Sequence, residues 1–240
     1  MSGILYGVGV GPGDPKLMTY LAVETIEKCP VIAVPSEEKN RAAGYRIALH
    51  MVKGLDRKEC LKLPIPMTKD REILEQSYEE AAGQIIRRLE AGQDTAYLTL
   101  GDPTVYSTYI YIQRIVKEKG YEAQIISGVP SFCAIAARLG DSLADRSQQI
   151  HILPSSYDIE EGLGYKGTRI LMKAGSRLAQ VKEILRDKEM AAVMVENCGM
   201  EGEHIYRTVE EMPEKASYYS TVLVKDGKGA VWAADGVSEK

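Results

Sequence analysis

The first half of the chain alternates short apolar runs, rich in Val and Ile, with longer stretches of helical periodicity. Continuous apolar runs are typical of strands buried on both faces, and amphipathic stretches between them are typical of covering helices. This alternation predicts a parallel sheet with crossover helices. The predicted strands are 4–10, 31–34, 60–63, 95–100 and 121–126, and the predicted helices are 15–28, 41–53, 69–91 and 103–119.

The pattern changes after the stretch SGVPSF at residues 127–132. Several of the later apolar runs follow each other too closely for a helix to fit between them, which predicts antiparallel pairing and a mixed sheet. We therefore predict an α/β protein of two domains, residues 1–127 with a parallel sheet and residues 128–240 with a mixed sheet. The predicted strands of the second domain are 149–153, 168–172, 191–196, 204–209 and 218–224.

Composition narrows the classes of partner. The 240 residues carry a formal net charge of -4, so no overall positive field attracts nucleic acid or an anionic membrane. No apolar stretch has the ~18 residues of a membrane span, and the chain opens without a signal-peptide pattern, so we expect a cytoplasmic protein. The four cysteines and three histidines are scattered without metal-ligand spacing, and we expect no metal site.

The stretch GVGVGPGDP at residues 7–15 has a glycine at every second position from Gly7 to Gly13. A dinucleotide fingerprint requires G-x-G-x-x-G, and Pro12 stands where the third glycine belongs. A phosphate-binding P-loop requires Gly-Lys-Ser/Thr, which is also missing. Because Pro12 has no N–H to offer a phosphate, the stretch indicates a sharp strand-to-helix turn that binds something other than a pyrophosphate.

Three loops carry the candidate chemistry: residues 11–14 (the first loop), 101–106 (the second loop) and 128–131 (the third loop). The first two carry a Gly-Asp pair that a proline follows, after a predicted strand, so Asp14 and Asp102 are each either a helix N-cap or a ligand contact. The third is either an interdomain turn or a further part of the site. Ligands of open parallel sheets bind at the carboxyl ends of the strands, where we expect all three loops to converge.

Five motifs together resemble the tetrapyrrole methylase family, the class III fold of S-adenosylmethionine-dependent methyltransferases. They are GVGVGPGDPKLMT, LTLGDPTVYS, SGVPSF, LMKAG at 171–175 and VENCG at 195–199. Within the family, GDPTVYSTY and LPIPMTKD at 63–70 resemble the members that methylate carbon 20 of precorrin-2 or cobalt-factor II in cobalamin biosynthesis. The resemblance implies this activity, a trough between two domains where S-adenosylmethionine binds, and a homodimer.

The resemblance also implies which residues bind the donor. They are Pro12, Leu100, Gly101, Asp102, Val105, Tyr106, Pro130, Ser131, Met172, Asn197, Cys198, Tyr219, Ser220 and Thr221. Several relatives have Gly-Thr in place of Cys198-Gly199 and Ala-Leu in place of Ser220-Thr221, so contacts at these positions are expected to run through the backbone.

Methyl transfer to carbon 20 of a tetrapyrrole releases a proton, and Asp14 and Tyr106 are the candidates to handle it. Asp14 is equally a cap and Tyr106 a packed aromatic, and the reaction can proceed without a catalytic base. The candidates to bind substrate carboxylates, each of which can equally be a solvated surface charge, are Lys16, Arg41, Arg46, Arg138, Arg146 and Lys173.

We expect two aromatic residues to have structural roles: Phe132 to pack in a core, with stacking on adenine as the alternative, and Trp232 to pack in a core.

Two functions remain as alternatives to methylation at carbon 20. One is methylation of a different acceptor, such as uroporphyrinogen III or another corrin carbon. The other is a non-catalytic protein that binds S-adenosylmethionine.

Overall fold

The computed structural model describes residues 1–154 and 158–226, so Trp232 lies outside the described residues. The chain divides into two compact units, Met1–Pro130 and Ser131–Lys240. A domain must also be able to fold by itself, so the division into domains at residue 127 stays a prediction. No helix in the described ranges is long and apolar enough to cross a membrane.

The first unit contains the predicted parallel sheet. Its five strands lie in the order β3-β2-β4-β1-β5, and every neighbouring pair is parallel. The strands are β1 (Leu5–Gly9), β2 (Val31–Val34), β3 (Glu59–Lys62), β4 (Thr95–Thr99) and β5 (Ala123–Ile126). The α-helices are α1 (Tyr20–Lys28), α2 (Ala43–Met51), α3 (Arg71–Glu90) and α4 (Tyr109–Glu118). This order places the carboxyl ends of β4 and β5 on either side of β1.

Both faces of this sheet are buried, which explains the continuous apolar runs. Alternation along β1 sends Leu5 to one face and Val8 to the other. The Leu5 face packs against residues of α3 and α4, and the Val8 face packs against residues of α1 and α2. Each buried aliphatic side chain contributes about 1.5 to 3 kcal/mol, so two covered faces stabilise the sheet and fix its position under the loops.

The helix predicted at 15–28 begins later than expected. Residues Pro15–Leu17 form a 3-10 turn, and α1 starts only at Tyr20. Its N-cap is Thr19, whose side chain accepts a hydrogen bond from a backbone N–H of the first helical turn. Asp14 therefore caps the short turn, and the helix has a cap of its own.

The helix predicted at 103–119 begins at Tyr109. Tyr106 has a φ of 48°, a left-handed conformation that a right-handed helix cannot include. The residues between Asp102 and α4 therefore form a loop. The interpretation of Asp102 as the N-cap of this helix is wrong, because its carboxylate binds loop residues instead.

The second unit contains the predicted mixed sheet, in the order β6-β7-β10-β8-β9. β6 and β7 are parallel, and the other neighbouring pairs are antiparallel. The strands are β6 (Ile150–Pro154), β7 (Thr168–Met172), β8 (Ala192–Glu196), β9 (His204–Tyr206) and β10 (Ser220–Val224). The α-helices are α5 (Ser131–Leu139), α6 (Ile159–Leu163) and α7 (Leu178–Asp187). Phe132 is buried in α5.

An ion pair between a buried arginine and a half-exposed aspartate accompanies the core of the second unit. The side chain of Arg169, in β7, is 1% exposed and is paired with Asp226. The Arg169 guanidinium also donates to the carbonyl oxygen of Gly167, and Asp226 accepts the Gly167 N–H at 2.5 Å. The pair anchors the segment that follows β10 to the start of β7.

Candidate functional site

The first loop, the second loop and residues 127–130 of the first unit meet at the carboxyl end of its sheet. Gly101 N donates to Gly11 O at 2.8 Å and Gly11 N donates to Gly101 O at 3.3 Å, which joins the first loop to the second. Asp102 accepts hydrogen bonds from Ser127 and Gly128, which joins the second loop to the third. The predicted convergence of these loops is thereby confirmed.

Asp102 is the centre of this arrangement and is only 6% exposed. Its Oδ2 accepts from Ser127 Oγ at 2.6 Å and from Gly128 N at 2.9 Å. Its Oδ1 accepts from Thr104 N at 2.7 Å and from Thr104 Oγ1 at 2.5 Å. Burial alone raises the pKa of a carboxyl, but these four hydrogen bonds outweigh burial and lower the pKa of Asp102. The ionised carboxylate therefore holds the two loops together.

The alternating glycines of β1 have steric causes within the protein. A Cβ on Gly7 would overlap the ring of Tyr109. A Cβ on Gly9 would lie 2.6 Å from Gly101 O and 2.6 Å from Gly128 N. These two glycines thus make room for protein groups. Gly11, by contrast, has a φ of 78° and shapes the first loop itself.

The predicted donor-binding residues of the first unit differ in exposure. Pro12, Gly101 and Asp102 are buried, so they shape the loops from beneath. Side chains that reach the surface belong to Leu100, Val105, Tyr106 and Pro130. Ser131 is the first residue of α5 and belongs to the second unit.

The predicted donor-binding residues of the second unit cluster at one edge of the mixed sheet. β10 runs antiparallel to both neighbours, so its first residues lie beside the last residues of β7 and β8. Thr221 is paired with Met172 on one side and with Val195 on the other. Asn197 N donates to Tyr219 O at 3.0 Å, which brings the turn after β8 to the same edge.

Side chains of β10 alternate between the two faces of the sheet. Ser220 lies on the same face as Val222 and is 1% exposed, and its hydroxyl has no hydrogen-bond partner among the described residues. Thr221 points to the opposite face. Both side chains are buried, and a ligand contact through the backbone at these two positions stays a prediction.

The turn after β8 contains two residues in the left-handed region, Asn197 with a φ of 53° and Gly199 with a φ of 73°. The Asn197 side chain stabilises it, since Oδ1 accepts from Ser217 Oγ at 3.0 Å and Nδ2 donates to Gly202 O at 3.2 Å. Burial and the nearby charge of Glu203 raise the pKa of Cys198 to about 11. The Cys198 thiol is therefore neutral at physiological pH and is unsuited to act as a nucleophile.

The two candidates for proton handling have different surroundings. Asp14 Oδ1 accepts from Lys16 N at 2.9 Å, which is the capping geometry. Tyr106 is 44% exposed, and partial burial raises its pKa. A phenol with a raised pKa stays protonated at neutral pH, so Tyr106 is a hydrogen-bond donor. A catalytic role for either residue stays a prediction.

Several candidate cations have partners within their own unit. Arg41 lies 3.1 Å from Glu38, and Arg138 Nε donates to Glu203 Oε1 at 2.7 Å. The Lys173 ammonium lies 5.1 Å from the centre of the Tyr218 ring, within the range of a cation–π contact. Among the residues that the structure describes, no group of three His, Cys, Asp or Glu side chains is placed to hold a metal ion.

Sequence reasoning missed the residues that support the candidate site from behind. Ser127 and Ser217 hold Asp102 and Asn197, and Glu203 accepts a hydrogen bond from the turn after β8. Ser127 lies inside the SGVPSF motif, so its position was a usable signal. Ser217 and Glu203 lie in no motif, and only the fold brings them to the turn.

The fold and the loop cluster define an α/β protein with ligand-binding geometry at the carboxyl edge of a parallel sheet, accompanied by a second, mixed sheet. The glycine loops lack the sequence of a nucleotide-phosphate site. The chain belongs to the tetrapyrrole (corrin/porphyrin) methylases, since the model of that family matches residues 4–213. The protein is accordingly a methyltransferase.

Comparison with individual proteins agrees with this family. A probable cobalt-precorrin-2 C(20)-methyltransferase of Methanocaldococcus jannaschii is 34% identical over 202 residues, which cover 84% of this chain and 85% of the relative. A cobalt-precorrin-2 C(20)-methyltransferase of Salmonella typhimurium is 30% identical over 234 residues, which cover 93% and 97%.

A solved structure supports the fold. The uroporphyrin-III C-methyl transferase of Thermus thermophilus, complexed with S-adenyl homocysteine, has a TM-score of 0.68 to this chain. The two chains are 20% identical, and the match covers 93% of this chain and 98% of that one. The two-sheet α/β architecture predicted from sequence is thus the architecture of a known tetrapyrrole methyltransferase.

Proposed function

We propose that the protein transfers a methyl group from S-adenosylmethionine to carbon 20 of precorrin-2 or its cobalt form, in cobalamin biosynthesis. The observation that carries this proposal is the similarity to two relatives whose names specify carbon 20 of cobalt-precorrin-2, at 34% and 30% identity over most of the chain. The motifs GDPTVYSTY and LPIPMTKD agree with the same group. We observe no feature that favours a different acceptor or a non-catalytic role.

The chemistry of the loops fits a donor of this kind. The first, second and third loops contain two carboxylates, Asp14 and Asp102, and no Lys or Arg. Two carboxylates without a cationic side chain make these loops poorly suited to a negatively charged phosphate group. S-Adenosylmethionine has no phosphate and carries a positive sulfonium, so the electrostatics of the loops favour it.

We propose that the donor contacts the exposed edges and backbone of two residue sets. The first set lies in the loops of the first unit. The second set consists of Ser131 and of residues at the ends of β7 and β8 and the start of β10 in the second unit. The residues are Pro12, Leu100, Gly101, Asp102, Val105, Tyr106, Pro130, Ser131, Met172, Asn197, Cys198, Tyr219, Ser220 and Thr221.

When bound, S-adenosylmethionine would supply an electrophilic methyl group. The residues of the chain would hold donor and acceptor in line, an effect worth up to ~7 to 11 kcal/mol in such reactions. Backbone carbonyl oxygens at the strand ends would favour the positive charge at the methyl. Asp14 and Tyr106 are the two candidates to handle the proton released at carbon 20. The Asp14 carboxylate could accept that proton, whereas protonated Tyr106 would donate a hydrogen bond that orients the tetrapyrrole.

We further propose that the protein acts as a homodimer in the cytoplasm, and that residues 1–127 and 128–240 are its two domains. The resemblance to the family supports the dimer. Sedimentation equilibrium of the full chain would measure the oligomeric state, and a monomer at micromolar concentration would contradict the dimer.

Calorimetry followed by turnover tests the main proposal. We expect S-adenosylmethionine and S-adenosylhomocysteine to bind at one site per chain. Incubation with precorrin-2, and separately with its cobalt form, should yield a monomethylated product, and carbon NMR with a labelled methyl group should place that methyl at carbon 20. Binding without methyl loss would indicate a sensor, and a label at another carbon would indicate a different specificity.

A further inference from the structure

Glu203 connects two parts of the second unit. Its Oε2 accepts from Gly199 N at 2.6 Å, in the turn after β8, and its Oε1 accepts from Arg138 Nε at 2.7 Å, near the end of α5. The Glu203 side chain is 15% exposed, whereas that of Arg138 is 60% exposed. One largely covered carboxylate thus ties the turn to a helix that lies 65 residues earlier in the sequence.

The turn needs such an anchor because of its backbone conformation. Asn197 and Gly199 both lie in the left-handed region, which an L-residue such as Asn adopts at a cost. The turn is closed by Met200 N donating to Asn197 O at 2.8 Å. Gly199 N takes no part in this internal hydrogen bond and donates to the Glu203 carboxylate instead. The carboxylate thus holds the part of the turn that the internal hydrogen bond does not.

Charge explains why Arg138 takes part. Covering a carboxylate from water costs free energy unless an opposite charge or several hydrogen-bond donors compensate for the lost solvation. Arg138 supplies the charge, and its exposed stem extends from α5 to do so. The pKa of the neighbouring Cys198 thiol depends on both charges, since Glu203 raises this pKa and Arg138 lowers it.

We propose that Glu203, held by Arg138, is a positioning residue for the methyl donor: it fixes the backbone of residues 197–199 in the conformation that binds S-adenosylmethionine. This inference rests on the proposed function, which places Asn197 and Cys198 at the donor. Glu203 itself makes no proposed contact with donor or acceptor. The Arg138 guanidinium consequently serves the turn, where the sequence offered it as a partner for a substrate carboxylate.

The first test compares Glu203→Gln with Glu59→Gln. Glu59 is a matched control, because it pairs with Arg88 Nε at 2.8 Å in the other unit, away from every proposed donor contact. We expect Glu203→Gln to weaken S-adenosylhomocysteine binding about tenfold by calorimetry and to raise the KM for the donor. The KM for the tetrapyrrole should stay within about twofold, and Glu59→Gln should change neither quantity.

The second test separates positioning from simple loosening of the fold. Alkylation of Cys198 as a function of pH, followed by peptide mass spectrometry, should give a lower thiol pKa in Glu203→Gln and a higher one in Arg138→Gln. Unfolding of the turn would instead lower the pKa of Cys198 in both variants, because both would lose burial. If Glu203→Gln fails to fold, Glu203→Asp replaces it in the test. This variant keeps the charge, but its side chain is too short to reach both partners. It should weaken donor binding and leave the KM for the tetrapyrrole unchanged.

The outcomes are distinguishable. If the wild-type protein does not bind S-adenosylhomocysteine, the proposed function fails. If the wild type binds it and Glu203→Gln binds it equally well, the function stands and the positioning role is overturned. A shift of the Cys198 pKa in the same direction in both charge variants would also overturn the positioning role.

Discussion

The hydroxyl of Ser127 donates a hydrogen bond to the carboxylate of Asp102 at 2.6 Å, across 25 residues of sequence. Asp102 follows β4, and Ser127 follows β5. Because β4 and β5 flank β1 in the sheet, this bond spans the carboxyl end of β1, where the first loop begins. A single side chain thereby fixes the spacing of the loops that we propose to bind the donor.

Asp102→Ala should destabilise the protein and weaken donor binding. The substitution leaves the Ser127, Thr104 and Gly128 donors without their acceptor, and bonds to a charged group are worth about 1.5 to 3 kcal/mol each. We expect a loss of about 3 kcal/mol in the free energy of unfolding by urea denaturation, because such losses are not additive.

Asp70→Ala is the matched control for this prediction. Asp70 is the N-cap of α3 and accepts from Glu72 N at 3.0 Å and from Ile73 N at 3.3 Å. Within the described part of the chain, its carboxylate accepts hydrogen bonds only from these two residues of its own helix. Loss of a cap costs about 1 kcal/mol. If both alanine variants lose the same stability and neither changes S-adenosylhomocysteine affinity, Asp102 is only a local cap.

The contribution of Asp102 should depend on pH. Its pKa is lowered in the folded protein, so its contribution is present above the unfolded value of about 3.9 and is lost as the pH falls through the folded value. The stability difference between wild type and Asp102→Asn should be constant above about pH 5 and shrink in stronger acid. Urea denaturation at several pH values measures it. A difference that grows on acidification would contradict the lowered pKa.

Gly128→Ala should disrupt the loop cluster for steric reasons. The added Cβ would overlap Gly101 O and lie 2.8 Å from the backbone of Gly9, so the loops would have to separate. Overpacking of this kind costs about 1 to 3 kcal/mol. Gly83→Ala is the control, because Gly83 lies within α3 with open space around it, and alanine should stabilise that helix by about 0.5 to 1 kcal/mol. Thermal unfolding measures the melting temperature of both variants, which should fall for Gly128→Ala and rise for Gly83→Ala. An equal change in both would contradict the steric argument.

Asp226→Ala should destabilise the second unit. It leaves the buried Arg169 guanidinium without its counter-ion. Because the Asp226 side chain is 48% exposed, we expect a loss of about 2 kcal/mol, less than for a pair with both partners buried. Glu79→Ala removes the partner of Lys119 at the surface and should cost no more than about 1 kcal/mol. Chemical denaturation of both variants provides the comparison. Equal losses would show that Arg169 finds another partner.

The central strands of both sheets could be predicted because they are buried at consecutive residues, which gives continuous apolar runs in the sequence. The run VIAV is buried at every position, and the predicted strand 31–34 matches β2. The helix starts could not be predicted in the same way. The loop at residues 103–108 takes its conformation from Tyr106 and from the contacts of Asp102 with the third loop, which local periodicity does not record.

The candidate site, like the fold, could be predicted from the sequence only in part. The motifs identified the loops and the family, but the reason for each glycine lay elsewhere: Gly7 accommodates Tyr109, and Gly9 accommodates Gly101 and Gly128. Glu203 and Ser217, which support the turn after β8, lie in no motif at all. Their roles depend on which strands become neighbours.

The amino-acid sequence by itself determined the two kinds of sheet, the order of most elements, the exclusion of a phosphate-binding loop and the resemblance to the tetrapyrrole methylases. These follow from burial patterns and local motifs, which act over a few residues. Only the tertiary structure decided that Asp102 joins two loops and that Glu203 joins a turn to a helix. Such contacts form between residues distant in the chain, and their energies depend on burial and distance, which exist only once the chain has folded.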